Sequence, residues 1–266
     1  MILDINKIYH SEAIVFMKQL PDNYVDLTIS SPPYGTIRSY KGYTFDFEGI
    51  ARQLFRITKQ GGVVVWVCAD QTINGSESGD SFRQALYFKD VCGFNLHDTM
   101  IYQKFGCPFP ETTRYYPQFE YMFVLSKNKP KSINLLKDRV NKQAGEKFDK
   151  STDRMPDGTT KPMSFNNTGR IPIVKEYGVR WNIWQYQGQT VAGHPAPFPE
   201  QLAADHIVSW SNKGDLLFDP MMGSGTVAKM AIILNRNFIG CDISEEYVAL
   251  AKERIKPYQQ QLRFSV

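Results

Sequence analysis

The residues of this sequence best suited to chemistry are Ser31, Pro32, Pro33 and Tyr34, which follow the apolar run 25–29. Proline fixes its own φ, lacks an N–H and pushes the preceding residue into an extended conformation, so the carbonyl groups of this turn have few available directions. Hydrogen-bond acceptors held in fixed directions suit the alkylation of an exocyclic amine on a nucleobase, whose nitrogen lone pair is conjugated into the ring. If the Ser31 hydroxyl and the Pro32 carbonyl each accept one amino hydrogen, the lone pair is freed, while Tyr34 stacks on the base. The alternative is a surface turn, because Ser-Pro and Pro-Pro are also common in loops.

A second stretch, 216–226, predicts a buried strand, a tight glycine turn and then an apolar helix. A nucleotide-like ligand fits such a turn, because a side chain at Gly223 or Gly225 would occupy the space in which the ligand approaches the backbone. Asp242 follows the turn by about 20 residues and ends the next predicted strand, where a carboxylate can accept hydrogen bonds from a ribose diol. Asp242 can instead belong to the cap of the helix predicted at 244–256.

These two stretches resemble the amino-group DNA methyltransferases that use S-adenosylmethionine. Ser-Pro-Pro-Tyr resembles the form associated with N4-cytosine methylation, whereas adenine-N6 enzymes more often carry Asp or Asn at the position of Ser31. The catalytic motif precedes the cofactor motif, with a long polar segment between them, which resembles the permuted β group of the family. The resemblance covers nearly the whole chain. It implies a site-specific DNA methyltransferase that flips a cytosine out of double-stranded DNA and uses S-adenosyl-L-methionine as its cofactor.

The resemblance also implies roles for individual residues. The catalytic residues are those of the Ser31–Tyr34 motif, and the cofactor-binding residues are Glu12, Phe198, Pro199, Phe218, Asp219, Pro220, Gly223, Ser224, Gly225, Thr226 and Asp242. Phe198 and Pro199 would line the methionine end of the cofactor. Glu12 stands where the family often has a Gly-Asp pair. Its alternative is a first-turn carboxylate favoured by the helix dipole, with Ser11 as the N-cap of a helix over 11–20.

Basic residues are concentrated in one part of the chain. Residues 127–180 hold 13 of the 31 lysines and arginines and 6 of the 27 acidic residues, which leaves an acidic excess elsewhere. A polyanionic partner explains that distribution, although charged loops are also simply solvated. We predict that double-stranded DNA is bound through Arg38, Lys41, Lys137, Arg139, Lys142 and Lys147. The first two belong to a stretch that interleaves cations with aromatics, as a loop near DNA does, but a simple exposed loop has the same composition.

The alternation of apolar runs and amphipathic stretches, together with the resemblance, predicts a doubly wound α/β fold with a mostly parallel, seven-stranded sheet in circularly permuted order. We expect a catalytic half at 1–126, a target-recognition region at 127–192 and the S-adenosylmethionine-binding half of the same domain at 193–266. In the family's architecture, strands predicted at 96–104 and 118–125 form an antiparallel pair at the sheet edge. Residues 59–62 are predicted to end a helix, and residues 180–186 to form a strand that closes the target-recognition region.

Cysteine and histidine spacing excludes several chemistries. The four cysteines form no Cys-x-x-Cys pair and no histidine has metal-ligand spacing, so we expect neither a metal site nor a disulfide framework. Cys107-Pro108 is the reverse of the Pro-Cys nucleophile of cytosine-C5 methyltransferases, which argues against covalent attack at C5. No apolar run reaches the roughly 18 to 20 residues of a membrane span, and the N-terminus lacks the apolar stretch of a signal peptide. The expected location is therefore the cytoplasm.

Other functions remain open from the sequence. The first alternative acceptor is N6 of adenine. A more distant one is protein or RNA, since related Asn-Pro-Pro-Tyr enzymes alkylate glutamine side chains. The non-enzymatic alternative is a DNA-binding protein with an inert methyltransferase fold. We expect the protein to be part of a restriction-modification system, in which a cognate restriction endonuclease can be its partner. The oligomeric state and the target sequence are not determined by these residues.

Overall fold

The computed structural model describes residues 3–32, 45–106, 112–147, 152–162, 171–188, 191–192 and 199–263. The chain separates into two compact units. The larger unit is formed by Met1–Asn134 with Asn182–Val266, and the smaller unit by Leu135–Trp181. The smaller unit lies within the segment 127–192, where the sequence predicts target recognition.

The larger unit alternates strands and helices along the chain. Its helices are α1 Ala13–Met17, α2 Phe47–Ile57, α3 Asp80–Leu86, α4 Glu200–Trp210, α5 Thr226–Ile233 and α6 Glu245–Arg263, and a π-helix at Tyr87–Cys92 follows α3. Its strands are β1 Lys7–His10, β2 Val25–Ser30, β3 Thr58–Cys68, β4 Thr72–Ile73, β5 Ser76–Glu77, β6 Asn95–Lys104, β7 Phe119–Ser126, β12 Ile183–Tyr186, β13 Leu216–Asp219 and β14 Asn237–Asp242. The smaller unit contains β8 Arg139–Val140, β9 Thr152–Arg154, β10 Thr160–Pro162 and β11 Tyr177–Gly178.

Eight of these strands form the central sheet, in the order β1-β14-β13-β2-β3-β7-β6-β12. Neighbouring strands are parallel except where β7 pairs with β3 and with β6, so β7 is the one reversed strand among those described. The predicted mostly parallel, doubly wound α/β fold is therefore confirmed.

The edge of the sheet differs from the prediction. β6 and β7 form the expected antiparallel pair, but neither is an edge strand, because β12 pairs in parallel with β6. The sheet consequently has eight strands rather than seven. The strand predicted at 180–186 is therefore found as β12, and it belongs to the central sheet of the larger unit.

The start of α1 also differs from the prediction. Glu12, not Ser11, is the N-cap, and its two carboxylate oxygens accept hydrogen bonds from Ile14 N at 2.9 Å and Val15 N at 2.8 Å. The first turn of a helix leaves its amide groups without intrahelical partners, and a carboxylate at the N-cap satisfies two of them.

The stretch 59–62 does not separate a helix from a strand. β3 begins at Thr58, directly after α2, so both glycines lie inside the strand. Gly61 has a φ of 76°, a left-handed conformation that glycine adopts at little cost, and the register between β2 and β3 shifts in the same region. These glycines therefore permit a shift of register in the hydrogen-bonded pairing of β2 with β3.

Helices cover both faces of the sheet. On one face, α1, α2 and the π-helix pack with the strands in a cluster that includes Phe16, Leu54, Trp66, Phe88 and Phe218. α3 belongs to the same layer through Ala85 and its contact with the π-helix, whereas α4 packs against α5, α5 packs against α6, and α5 also contacts β13 and β14. Every residue of β2 is buried, as expected for a parallel strand between two helical layers.

This topology creates a crevice at the carboxyl ends of the strands. β2 continues through α2 to β3 on one side, whereas β13 continues through α5 to β14 on the other side. Because β2 and β13 are adjacent and parallel, their carboxyl ends meet where the two connections diverge. Open α/β sheets bind their ligands at such a switch point. Ser31 and Pro32, the described residues of the first predicted motif, follow β2, and the glycine turn follows β13, so the fold places both at this crevice.

No helix within the described ranges is both long and apolar enough to cross a membrane. In the same ranges, histidines, cysteines and acidic residues form no group that could hold a metal ion.

Lys127 belongs to the basic segment 127–180 but is buried in the larger unit. Its Nζ donates to Asn23 Oδ1 at 3.0 Å, Phe55 O at 2.8 Å and Thr58 O at 3.1 Å, and lies 4.6 Å from the centre of the Phe55 ring. Burial lowers the pKa of this ammonium group. The side chain joins the end of α2 to the turn before β2, so this cation stabilises the fold.

We expect Lys127→Met to lower the free energy of unfolding by about 2 to 3 kcal/mol, because buried carbonyl acceptors lose a charged donor. Urea denaturation of the purified protein measures the change. The control is Lys129→Met, an exposed lysine two residues away, which should change stability by less than about 0.5 kcal/mol. Equal unfolding midpoints for the two variants would contradict the assignment.

Candidate active site

A hydrogen bond joins the ends of the two strands at the crevice. Ser30, the last residue of β2, donates from its Oγ to Oδ1 of Asp219, the last residue of β13, over 3.1 Å. Both side chains are buried. Ser31 and Pro32 continue directly from Ser30, and Pro32 is also buried. The structure thus brings the start of the predicted catalytic motif to the predicted cofactor motif across 189 positions of sequence.

The Asp219 carboxyl group has neutral partners. It accepts hydrogen bonds from the Ser30 hydroxyl and from Met221 N at 3.0 Å, and it forms no ion pair with any described residue. Burial raises the pKa of Asp219 to about 7, against the hydrogen bonds from Met221 and Ser30, and the nearby Asp242 carboxylate raises it further. A buried carboxyl group that titrates near neutrality in a crevice is suited to meet a cationic ligand.

Asp242 lies at the same edge, at the end of β14 and beside His10 of β1. Its Oδ2 accepts from Gly223 N at 2.8 Å, and its Oδ1 accepts from Ser244 N at 2.9 Å. The carboxylate therefore holds the glycine turn and also positions Ser244, the residue before α6, whose Oγ accepts from Tyr247 N at 3.3 Å. Each oxygen keeps a second acceptor site, because a carboxylate has about four lone-pair positions. Burial raises the pKa of Asp242 as well.

Gly223 and Gly225 both have positive φ, at 51° and 78°, which explains why the turn needs glycine. The reason expected for Gly225 is wrong, however. A Cβ at that position would lie 2.9 Å from the Cβ of Ala251 on α6, so the missing side chain permits helix packing rather than ligand approach. Gly240 of β14 has a similar role, because a Cβ there would overlap Met222 and lie 2.7 Å from the Asp219 carbonyl oxygen.

Arg254 of α6 supports the glycine turn from behind and was not identified from the sequence. Its Nη1 donates to the carbonyl oxygen of Ser224 at 2.9 Å, to Ser224 Oγ at 2.9 Å and to Thr226 Oγ1 at 3.1 Å. Its Nη2 pairs with Glu200 at the start of α4, which also pairs with Lys229 of α5 at 2.7 Å. Three helices and the turn are thereby joined.

The charge of this network is locally balanced. Although burial acts to raise it, the pKa of Glu200 is held below its usual range by hydrogen bonds from Lys229 and Arg254. Ser224 and Thr226, predicted to bind cofactor, direct their hydroxyl groups to Arg254. Each hydroxyl group accepts from Arg254 and keeps its own proton, which a ligand can accept.

Several other predicted cofactor residues are engaged in packing, in the turn or at the start of a helix. Phe218 is fully buried, and its ring stacks on that of Phe16 at 6.1 Å, which leaves only its backbone to face a ligand. Pro220 is buried in the turn, and Pro199 is the N-cap of α4 rather than part of its first turn. The carboxylate of Glu12 is engaged by the first turn of α1.

Several predicted site residues lie outside the described residues, namely Pro33, Tyr34, Arg38, Lys41 and Phe198. Four predicted DNA-binding residues, Lys137, Arg139, Lys142 and Lys147, belong to the smaller unit. The three lysines are exposed, and Arg139 is half-buried.

The two residues that sequence reasoning missed differ in how they could have been found. Ser30 directly precedes the catalytic motif, and a polar residue at the buried end of a strand needs a partner, so its position was a usable signal. Arg254 lies 28 residues after Thr226 on a later helix, and no local spacing marks it.

Comparison with known proteins identifies the family and relatives of this chain. A family model described as DNA methylase, covering N6 and N4 methyltransferases, matches residues 25–253. The orphan methyltransferase M.BamHII of Bacillus amyloliquefaciens is 54% identical over 250 residues, which cover 91% of this chain and 92% of that protein.

Solved structures share the fold. TTHA0409 from Thermus thermophilus, solved in complex with S-adenosyl-L-methionine, superposes with a TM-score of 0.64 at 23% identity and covers 95% of this chain and 93% of its own. The PvuII DNA methyltransferase, described as cytosine-N4-specific, superposes with a TM-score of 0.65 at 18% identity, covering 96% and 91%. At these identities the likeness concerns the fold alone.

The raised pKa of Asp219 predicts a pH-dependent stability. Below its ordinary value of 3.8 the group is protonated whether folded or unfolded, and the folded state loses stability as pH rises toward about 7, because a buried carboxylate must then form. Asp219→Asn keeps an acceptor for Ser30 and avoids that charge. We expect the stability of the variant relative to wild type to grow by roughly 2 to 4 kcal/mol between about pH 4 and 7.

Urea denaturation across this pH range checks the prediction. The matched control is Asp90→Asn, an exposed aspartate, whose stability difference from wild type should stay within about 0.5 kcal/mol at every pH. A difference for Asp219→Asn that does not change with pH would show that the carboxyl group is not desolvated as described.

Proposed function

This chain belongs to the DNA methylase family of amino-group methyltransferases, and we propose that it methylates the exocyclic N4 amino group of cytosine in double-stranded DNA. The observation that carries the proposal is the junction of β2 and β13, where Ser30 bonds to Asp219. Ser31 and Pro32 leave that junction at the crevice, so acceptors for an amino group stand beside the turn suited to the cofactor.

Members of this family use S-adenosylmethionine, which confirms the predicted cofactor. When bound, it supplies the methyl group as part of a positively charged sulfonium. The side chains at the crevice fit such a molecule. Asp219 and Asp242 are buried carboxyl groups at one sheet edge, and a cationic ligand would relieve the cost of their burial. The second acceptor sites of Asp242 would receive the ribose hydroxyl groups.

The catalytic contribution of the chain is to orient and polarise the acceptor amine. The Ser31 hydroxyl and the Pro32 carbonyl each accept one amino hydrogen, which withdraws the nitrogen lone pair from conjugation with the ring. Rigid backbone at the proline holds the carbonyl in place before the base arrives. Tyr34, which lies outside the described residues, would stack on the extruded base. Ser31 or a water molecule takes the proton released from the nitrogen.

The choice of cytosine rests on Ser31. It offers a short neutral acceptor at the position where adenine-N6 enzymes more often carry a longer Asp or Asn. Cytosine and adenine present similar edges, each with an amino group beside a ring nitrogen, so the size of the pocket has to distinguish them. The family includes both N6 and N4 enzymes, and adenine is accordingly the alternative acceptor.

DNA recognition is assigned to the segment 127–192. Residues 135–181, which form the smaller unit, carry 10 basic and 6 acidic residues, and the lysines at 137, 142 and 147 are exposed. Exposed lysines suit phosphate contacts, which position a protein on DNA. Arg38 and Lys41 are proposed to add contacts near the flipped base. A partner restriction endonuclease stays a prediction, since the relative M.BamHII is described as an orphan methyltransferase.

We expect Arg254→Met to weaken S-adenosylmethionine binding about 10- to 100-fold, because the glycine turn loses a charged donor to Ser224 and Thr226. Isothermal titration calorimetry measures the affinity, and thermal unfolding shows whether the variant is folded. Lys252→Met, an exposed residue on the same helix, is the control and should bind as wild type does. A folded Arg254 variant with unchanged affinity would separate this network from cofactor binding.

We expect N4-methylcytosine as the reaction product. Mixed-sequence duplex DNA is incubated with the protein and methyl-labelled S-adenosylmethionine, digested to nucleosides, and the labelled nucleoside is identified by mass spectrometry. N6-methyladenine alone would overturn the cytosine assignment and leave the mechanism standing. Label on protein or RNA but never on DNA would overturn the substrate.

A further inference from the structure

In the smaller unit, Arg139 lies opposite a glycine. β8 and β11 pair in antiparallel fashion, with Arg139 facing Gly178 and Val140 facing Tyr177. A Cβ at Gly178 would overlap Nη2 of Arg139, so the arginine side chain occupies the space that the missing side chain leaves. The guanidinium therefore lies across the strand instead of extending freely into solvent.

Two neutral groups hold this guanidinium in place. Its Nε donates to the carbonyl oxygen of Val179 over 3.0 Å, and its Cζ lies 5.3 Å from the centre of the Trp181 ring. Trp181 is 65% exposed, which is unusual for a residue whose large apolar surface favours burial. Arginine stacks well on tryptophan because its planar cation is attracted to the face of the ring.

The neighbouring arginine is arranged differently. Arg180 forms hydrogen bonds to both carboxylate oxygens of Asp138, so its charge is neutralised within the unit. Arg139 has no carboxylate partner among the described residues, and only its Nε has a hydrogen-bond acceptor there. The two terminal amino groups of Arg139 keep their donors, on a side chain whose orientation is already fixed.

We propose that Arg139 reads a guanine in the recognition sequence, donating from its terminal amino groups to N7 and O6 in the major groove. This inference rests on the proposed function as a DNA methyltransferase. Arg–guanine pairing is the commonest specific contact in that groove and requires a planar fork with both donors available. A guanidinium fixed by Val179 and Trp181 loses less conformational entropy on binding than a mobile one, which favours selective contact.

The exposed lysines provide the contrast. Lys137, Lys142 and Lys147 have long, flexible side chains that end in a point charge, which suits phosphate oxygens and carries no base preference. Arg139 should therefore determine which site is methylated, and these lysines should determine how tightly any DNA is held. The two roles predict different kinetic effects.

The test starts from the recognition sequence, obtained by sequencing DNA that the wild-type protein has methylated. Duplex substrates are then made in which each guanine in turn is replaced by 7-deazaguanine, which lacks the N7 acceptor. For wild type, kcat/KM should fall about tenfold at one guanine position. For Arg139→Ala, the same replacement should cost less than about twofold, because the contact is already absent, while the natural substrate is methylated less selectively at that base pair.

Two further variants separate base reading from other roles. Gly178→Ala keeps the arginine but displaces its guanidinium, so it should also lose sensitivity to 7-deazaguanine at that position. Lys142→Ala should lower kcat/KM on all substrates by a common factor and retain that sensitivity. Circular dichroism and thermal unfolding establish that each variant is folded.

The outcomes are distinct. Equal 7-deazaguanine sensitivity in wild type and Arg139→Ala, or a uniform loss of activity in Arg139→Ala, would each overturn the role of Arg139 while leaving DNA methylation established. Failure of the wild-type protein to methylate any DNA would overturn the proposed function itself, and the inference with it.

Discussion

The parallel pairing of β2 with β13 is the constraint on which the site depends. These strands come from distant parts of the chain, and the hydrogen bond from Ser30 to Asp219 joins them at their carboxyl ends. Because the connections diverge on either side of this pair, a crevice forms between their carboxyl ends. Ser31 and Pro32, the start of the proposed catalytic turn, and the glycine turn both leave from this junction. A shift of either strand would therefore separate the acceptors for the amine from the turn suited to the cofactor.

Carboxyl groups around the crevice occur in two arrangements, one paired with cations and one, among the described residues, without them. Behind the glycine turn, Glu200 is matched by Lys229 and Arg254, and its pKa is lowered accordingly. In the crevice, Asp219 and Asp242 are buried beside one another and their pKa values are raised. The first arrangement stabilises the turn without a ligand. The second lowers the stability of the fold, because two neighbouring carboxyl groups are buried at the position where we propose that the cofactor binds.

The sequence by itself determined the fold class and the positions of the two motifs. Apolar runs of strand length alternate with helical periodicity, and the glycine turn before α5 and the prolines after β2 can each be read locally. The order of the motifs indicated the permuted topology, and the motifs themselves indicated the family, which the family model confirms. These features are predictable because they depend on near neighbours in the chain and on the burial of whole segments.

Only the tertiary structure decided which side chains meet. It showed that Gly225 is needed to accommodate Ala251, that Lys127 is a buried structural cation, and that Arg254 holds a turn 28 residues away from it. It also added β12 to the edge of the sheet, and it distinguished Arg139 from Arg180, although the sequence presents both simply as arginines in a basic segment. Contacts of this kind depend on strand register and helix packing between distant segments, for which spacing along the chain carries no signal.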